Sequence, residues 1–449
     1  MGKKISLLAG GAILLHFFLL FYSKFTAWPE MLAWPYFIIK GWLPYRDFAM
    51  AHTPILVLDM ALFYKIFGVG SLQLKLYAWI LILGTDLLLF YIAKKLWNVK
   101  VALVALLSFV PLQIFYEGNG LWFDFALSFL TLLIFYSLKT KRYVWAGVLW
   151  GVAFFTKQTA FWFLPPMALT LLTGGGLLNK TKKIAIGSLA VFALVFLIAW
   201  LFGILPDFIY WAFTYGIGIL PKAAGQIDLP ALRSLVVAFA PFAIFVLGLK
   251  LDWKKYLPLG VWSFFGVMGT FPRWQMFHFQ PGVPFLALAI SLVAVTVKKK
   301  QKLIIALLAL YLILVFLMVF RSLARNWRVQ DRFLENPVVS AADYIRKNTK
   351  EGERIFVLNS WDSLYALADR LPASKPWFPQ LSWIFSVPGV EEKVVADLKL
   401  NPPTLIIMQP YTTGGLSSFK PEALTDYIFK YYEPTEILEG SFAVLRPYK

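Results

Sequence analysis

Residues 28–54, WPEMLAWPYFIIKGWLPYRDFAMAHTP, govern how the rest of the chain is read. They follow a first apolar run, Ile5–Tyr22, and do not form a second one. Glu30, Arg46, Asp47 and His52 sit there among tryptophans, tyrosines and prolines. Charge beside aromatic rings at the foot of an apolar span belongs to the lipid–water boundary. Two acids in this stretch, in a region otherwise poor in acids, point to a reaction centre.

The chain around it has the composition of a polytopic membrane protein. Its 449 residues are 59% hydrophobic and 18% aromatic, with only 15% charged and a mean hydropathy of +0.68. Soluble domains carry more charge. The absence of cysteine excludes a disulfide framework and a thiolate metal or redox site. The +19 charge is lopsided: residues 1–320 carry 27 Lys/Arg against nine Asp/Glu, and residues 321–449 carry 16 against 15. A basic apolar part with a near-neutral tail reads as positive-inside loops, not as nucleic-acid binding.

Lys3 and Lys4 precede Ile5–Tyr22, which is read as a retained first span. With about 20 apolar residues needed per crossing, further spans are expected near 74–93, 101–116, 121–138, 143–156, 159–173, 184–204, 233–249, 257–271, 283–297 and 303–320, eleven in all. The basic groups Lys94/Lys95/Lys100, Lys139/Lys141/Arg142, Lys180/Lys182/Lys183, Lys250/Lys254/Lys255 and Lys298/Lys299/Lys300/Lys302 fall on alternate loops. They place the N-terminus in the cytoplasm and the C-terminus outside. The first outer loop, 23–73, then holds the opening stretch and Thr53–Gly68, which is too short and too charged to span and reads as an interfacial helix. Pro206–Pro221 has the same character.

From Arg321 the pattern changes. Helix signals at NPVVSAADYIRKNT, VEEKVVADLKLN and KPEALTDYIFKYYEP alternate with strand signals at GERIFVLNS, PPTLIIMQP, TEILEG and SFAVLRP. The expected fold is thus an α-helical membrane bundle over 1–320 with a small extracytoplasmic α/β domain over 321–449.

The acids of residues 1–320 are Glu30, Asp47, Asp59, Asp86, Glu117, Asp124, Asp207, Asp228 and Asp252. Asp252 lies among cytoplasmic lysines, and Asp86 falls in mid-span, where an ionisable group needs a partner such as Lys75 or a function. The rest gather on the outer side. Lys157, in AFFTKQTAFWF, has no acid near it in sequence; it either snorkels or binds an anion such as phosphate. Arg273 and His278 share a Pro-bounded outer loop, TFPRWQMFHFQPGVPF. A lone histidine there is more often a hydrogen-bonder than a catalyst. No P-loop, GxGxxG or HExxH occurs, and GGGLLNK at 174–180 reads as a cytoplasmic turn. Without a nucleotide site, an outward-facing reaction needs a donor already across the membrane, and a lipid phosphate fits.

In order along the chain, Glu30, GWLPYRDF at 41–48, HTP at 52–54, Asp124 in GLWFD, TKQ at 156–158 and RWQMFHFQPGVPF at 273–285 resemble the GT-C superfamily of polytopic glycosyltransferases that use polyprenyl-phosphate sugars, above all protein O-mannosyltransferases and the lipid A aminoarabinose transferase. The resemblance covers roughly residues 1–300. Where that family often shows Asp-Glu, this chain has Pro29-Glu30. The resemblance implies sugar transfer with inversion to an unknown acceptor, protein, lipid or glycan, on the outer membrane face. Glu30 is implied as base, with Asp47 supporting it. The leaving phosphate is implied to be held by Lys157 and Arg273, with His278, His52 and Arg46 as further candidates and Tyr45, Asp124 and Gln158 as other site residues. No cofactor and no metal are expected, the lipid-linked sugar being the substrate. The rival classes are a secondary transporter, which would show an internal repeat, and a non-catalytic scaffold.

Overall fold

The computed structural model describes residues 2–172, 175–223, 226–298, 301–412 and 414–448. Gly174 of the GGGLLNK turn and Lys299 and Lys300 of the last basic loop lie outside the described residues.

In chain order the helices are α1 (Gly2–Tyr22), α2 (Glu30–Ile39), α3 (Ile55–Phe67), α4 (Ser71–Leu96), α5 (Val99–Phe115), α6 (Phe123–Lys139), α7 (Tyr143–Thr156), α8 (Leu164–Leu171), α9 (Leu177–Leu201), α10 (Leu205–Phe208), α11 (Leu232–Phe239), α12 (Ile244–Gly266), α13 (Val283–Thr296) and α14 (Lys302–Asn326). The tail adds α15 (Asn336–Asn348), β1 (Ile355–Leu358), α16 (Ser363–Ala368), α17 (Ser382–Phe385), α18 (Val390–Leu400), β2 (Leu405–Met408), α19 (Glu422–Tyr431), β3 (Tyr432–Leu438) and β4 (Phe442–Pro447). The chain packs as two units. One comprises residues 1–25, 78–196 and 228–329; the other comprises 26–77, 197–227 and 330–449.

In the first unit, α13 packs along α5 and α12, and α6 along α7, around an apolar core that includes Phe135, Trp262 and Phe285. Glycines let helices approach closely. Gly147 of α7 faces the Ile184 carbonyl of α9, and Gly187 faces the Val144 carbonyl; a Cβ on either would collide with backbone. This is the small-residue contact of membrane helix pairs.

Among the described residues, four helical stretches are long and apolar enough to cross a membrane by length and composition: Ser71–Leu96, Leu177–Leu201, Leu232–Thr270 and Lys302–Asn326. Shorter apolar helices include Leu7–Tyr22, Val99–Phe115, Tyr143–Thr156 and Val283–Thr296. Among these long stretches α9 and α14 keep leucines and phenylalanines exposed along most of their length, the inverse of a water-facing surface. The 39-residue stretch Leu232–Thr270 would run about 58 Å as one helix, against ~30 Å of hydrocarbon. It does not run straight. Asp252 has an extended backbone within α12, and Gly248 meets the ring of Tyr256 across that bend. The chain folds back there, between the spans expected at 233–249 and 257–271.

In the second unit, α2 begins at Glu30 behind Pro29 and is stopped by Gly41, whose φ of +85° suits a residue without Cβ. An acid in the first turn complements the helix dipole. The run MLAWPYF, apolar enough for the lipid interface, is instead buried within this unit. It packs on α3 and on α16. Thr53–Gly68 is helical, as α3. Pro206–Pro221 forms α10 and then a π-helix, Ile209–Ile219.

The tail sheet has the order β1-β2-β4-β3. β1 pairs with β2 in parallel, Ile355 opposite Leu405, and β2 pairs with β4 antiparallel, Ile406 opposite Leu445. β1 is buried throughout, which is why IFVL reads as an unbroken apolar run. The segment between β1 and α18 contains α16 and α17. The loop over residues 23–73 is tied to it by backbone: Ala49 N–H donates to the Trp377 carbonyl and Trp377 N–H to that of Asp47, both at 2.9 Å.

Candidate active site

Lys157 lies where α7 ends. Its backbone is extended (φ −154°, ψ 133°), which breaks the helix before the 3-10 turn Gln158–Phe163 and carries the side chain into the first unit. There Lys157 Nζ donates to Asp124 Oδ2 at 2.6 Å. Asp124, in the first turn of α6, also has Oδ2 2.9 Å from His278 Nδ1, and Lys157 Nζ stands 3.2 Å from the same nitrogen. With Nδ1 protonated, His278 donates to Asp124 and accepts nothing from Lys157. All three side chains are buried. Burial of a charge demands a partner, and Asp124 is the counter-charge that Lys157 lacks in its own stretch of sequence.

Arg273 lies close enough for its charge to act on His278. Its loop is fixed by backbone pairing with Asp228: Asp228 N–H donates to Pro272 at 3.1 Å and Trp274 N–H to Asp228 at 3.0 Å. Thr159 presents a buried Oγ without a hydrogen-bond partner, and a Cβ on Gly269 would stand 3.3 Å from Asp124 Oδ1. Gln158 opens the 3-10 turn beside Lys157 and is half-buried. Asp124 is the carboxylate that pairs with Lys157 here. Lys157 spends one of three N–H donors on it, and the remainder suit an anion such as phosphate.

In the second unit, Asp47 holds its own loop together. It accepts from the Leu43 N–H at 2.9 Å and from Arg46 Nε at 3.1 Å, and Lys375 Nζ stands 3.3 Å away. Burial raises its carboxyl pKa, but the hydrogen bond from Arg46, then Leu43 and Lys375, hold it below the usual range. Arg46 is committed to Asp47. Tyr45, at φ +71°, donates through its hydroxyl to the His52 carbonyl at 2.9 Å and packs its ring 4.9 Å from Phe208. The His52 ring lies 6.4 Å from that of Trp34. Glu30, at the start of α2, is near enough to Asp362 for the two charges to act on each other.

Two partnerships escaped sequence reasoning. Asp86 meets neither Lys75 nor an anion but His16 of α1, at 2.7 Å, whose other ring nitrogen is 3.1 Å from Gln113 Oε1. His16 and Asp86 are fully buried. The available signal was a histidine and an acid, each alone in an apolar span, which have each other to satisfy. Lys75 pairs with Asp331. Asp362 carried no sequence signal at all. Among the described residues no group of three or more His, Cys, Asp or Glu is arranged to hold a metal.

The comparisons with known proteins agree with this architecture. Residues 51–201 match the family described as dolichyl-phosphate-mannose-protein mannosyltransferase. No curated protein matches the sequence. Over 99% of this chain and 98% of the other, the fold is similar to that of ArnT from Cupriavidus metallidurans in the apo state, at a TM-score of 0.65 and 12% identity. With the same enzyme bound to undecaprenyl phosphate the TM-score is 0.60, again at 12% identity and the same coverage. The apo oligosaccharyltransferase of Archaeoglobus fulgidus aligns over 96% of this chain and 73% of its own at a TM-score of 0.58 and 13% identity. The chain therefore shares its fold with these structures.

Proposed function

We propose that the chain is an integral membrane glycosyltransferase that moves a sugar from a polyprenyl-phosphate donor to an acceptor hydroxyl on the outer face of the membrane. The observation that carries this reading is the buried Asp124–Lys157–His278 cluster with Arg273 beside it, in a fold shared end to end with a protein whose structure holds undecaprenyl phosphate.

Glu30 takes the proton of the acceptor hydroxyl as its oxygen attacks C1 of the sugar. The bond from C1 to the phosphate oxygen breaks on the opposite face, so the anomeric centre inverts through an oxocarbenium-like transition state. The bond pair leaves with the polyprenyl phosphate. Lys157 and Arg273 offset that charge. Asp124 holds Lys157 and His278 in place between turnovers. Asp47, with Arg46, Tyr45 and His52, shapes the loop that follows Glu30. The reaction uses no metal in this reading, and residues 321–449 form an outer domain.

The test is reconstitution of the purified full chain in vesicles with undecaprenyl-phosphate sugars. The expected results are tight retention of undecaprenyl phosphate, weakened by Arg273→Ala, and sugar transfer that survives EDTA and is abolished by Glu30→Gln with donor binding retained. Failure of the wild-type protein to bind any polyprenyl phosphate overturns the reading; full turnover by Glu30→Gln removes Glu30 as the base.

A further inference from the structure

The second unit lays α2 and α16 side by side and in the same direction. At their C-terminal ends Tyr36 Oη donates to Asp369 Oδ1 at 3.0 Å, and Lys40 Nζ pairs with the same oxygen at 2.7 Å. Midway, the rings of Phe37 and Tyr365 stand 6.0 Å apart. The N-terminal ends bring Glu30 to Asp362, the residue that precedes α16. A helix that begins in the first outer loop thus delivers its leading carboxylate to a carboxyl from the C-terminal tail.

Asp362 is 5% exposed, and its Oδ1 has no hydrogen-bond partner. Ser360 and Ser363, on either side of it, each present a buried Oγ in the same condition. Unmade hydrogen bonds at buried polar atoms are costly, and three within four residues call for an explanation. The charged and titratable groups about Asp362 are few. Glu30 faces it from α2 and Tyr365 from α16, while the Gln380 N–H donates to it. Arg332 stacks on Phe333, whose ring lies 4.8 Å from that of Trp361. Lys40, Asp369 and Arg370 belong to the far end of the helix pair.

We propose that Asp362 is a positioning residue of the transfer reaction, paired with Glu30 and holding that carboxylate in the orientation from which it takes the acceptor proton. The inference rests on the transferase reading and extends it, because it makes the tail domain a contributor to the base. The Asp362 carboxyl is suited to the task. Burial lifts it well above the usual carboxylate range, and the Glu30 charge adds to the rise. In its protonated form it is able to donate where a second carboxylate would repel.

Two measurements on the purified full chain test this. In infrared difference spectra, a carboxylic-acid carbonyl band present at neutral pH should vanish in Asp362→Asn, and in Glu30→Gln it should ionise at lower pH than in the wild type. With a polyprenyl-phosphate sugar as donor, Asp362→Ala should lower kcat about 10- to 100-fold at unchanged donor KM. Asp362→Asn should recover most of that loss and lack the alkaline fall in rate that ionisation of Asp362 imposes. An unchanged titration of the band in Glu30→Gln, or Asn and Ala variants with equal rates and the wild-type pH profile, overturns the proposal. A coupled titration in a protein that neither binds polyprenyl phosphate nor transfers sugar overturns the catalytic role through the transferase reading, while the carboxyl pair itself stands.

Discussion

Lys157 illustrates what a buried ion pair does to a mutational test. From sequence, Lys157→Ala is expected to weaken donor binding and spare the fold. The structure changes half of that expectation, because removal of the ammonium leaves Asp124 buried with only His278 to answer it. Breaking such a pair costs about 3–5 kcal/mol. Lys157→Ala should therefore lower the unfolding midpoint of the solubilised protein markedly. Asp124→Asn with Lys157→Ala should recover most of the stability and none of the undecaprenyl-phosphate binding, as read by thermal denaturation and by lipid retention. Asp47 makes a second residue-scale prediction. Its carboxyl is held below the usual value, so the stability it contributes is present above the unfolded pKa of about 3.9 and is lost as pH falls through the folded one. Asp47→Asn should lower the unfolding midpoint at pH 7 and flatten its decline on acidification below about pH 4. An unchanged acid limb in that variant would show that other carboxyls dominate.

Among the helices, the contact of α7 with α9 is set by glycine and not by side-chain complementarity. Gly147 and Gly187 each touch a carbonyl of the opposite helix. Nothing larger fits without moving the helices apart, and overpacking of this kind costs about 1–3 kcal/mol or more. Gly187→Leu should thus lower the yield of folded protein and its thermal midpoint, while Leu189→Ala, two residues on at an exposed position of the same helix, should change neither. The bend at Asp252 is a further case. Hydropathy alone marks Leu232–Thr270 as one stretch, but only a chain that turns at Asp252 can match the thickness of a bilayer. The lysines 250, 254 and 255 around it keep the turn in water.

For the molecule as a whole, the alternating Lys/Arg loops predict sidedness. Reporter fusions after Lys183 should read cytoplasmic, and a fusion after Tyr448 should read external. A cytoplasmic tail would remove the outward-facing assignment of Glu30 and Asp362, because both lie on segments expected outside. The same orientation makes the two parts of the sequence, 1–320 and 321–449, depend on each other for function. The backbone bonds between Ala49, Asp47 and Trp377 tie the loop over residues 23–73 to the tail. Removal of residues 330–449 should therefore abolish turnover with every membrane span retained, measurable by transfer assay alongside the fusion reporters.

Much of this was legible in the sequence because it depends on local composition. An apolar window declares a helix in lipid wherever it lies, and the helix–strand order of the tail follows from periodicity within ten residues. The first loop announced itself by four polar side chains among aromatics. Partnership was not legible. Lys157 finds Asp124 33 positions away and His278 121 away, Asp86 finds His16 70 away, and Glu30 finds Asp362 across most of the chain. Sequence fixes that each buried charge needs an answer, since the cost of leaving it bare is the same in any fold. Which residue answers is decided by how helices pack, for hydrophobic burial sets which faces meet and is indifferent to the distance along the chain between the charges it brings together.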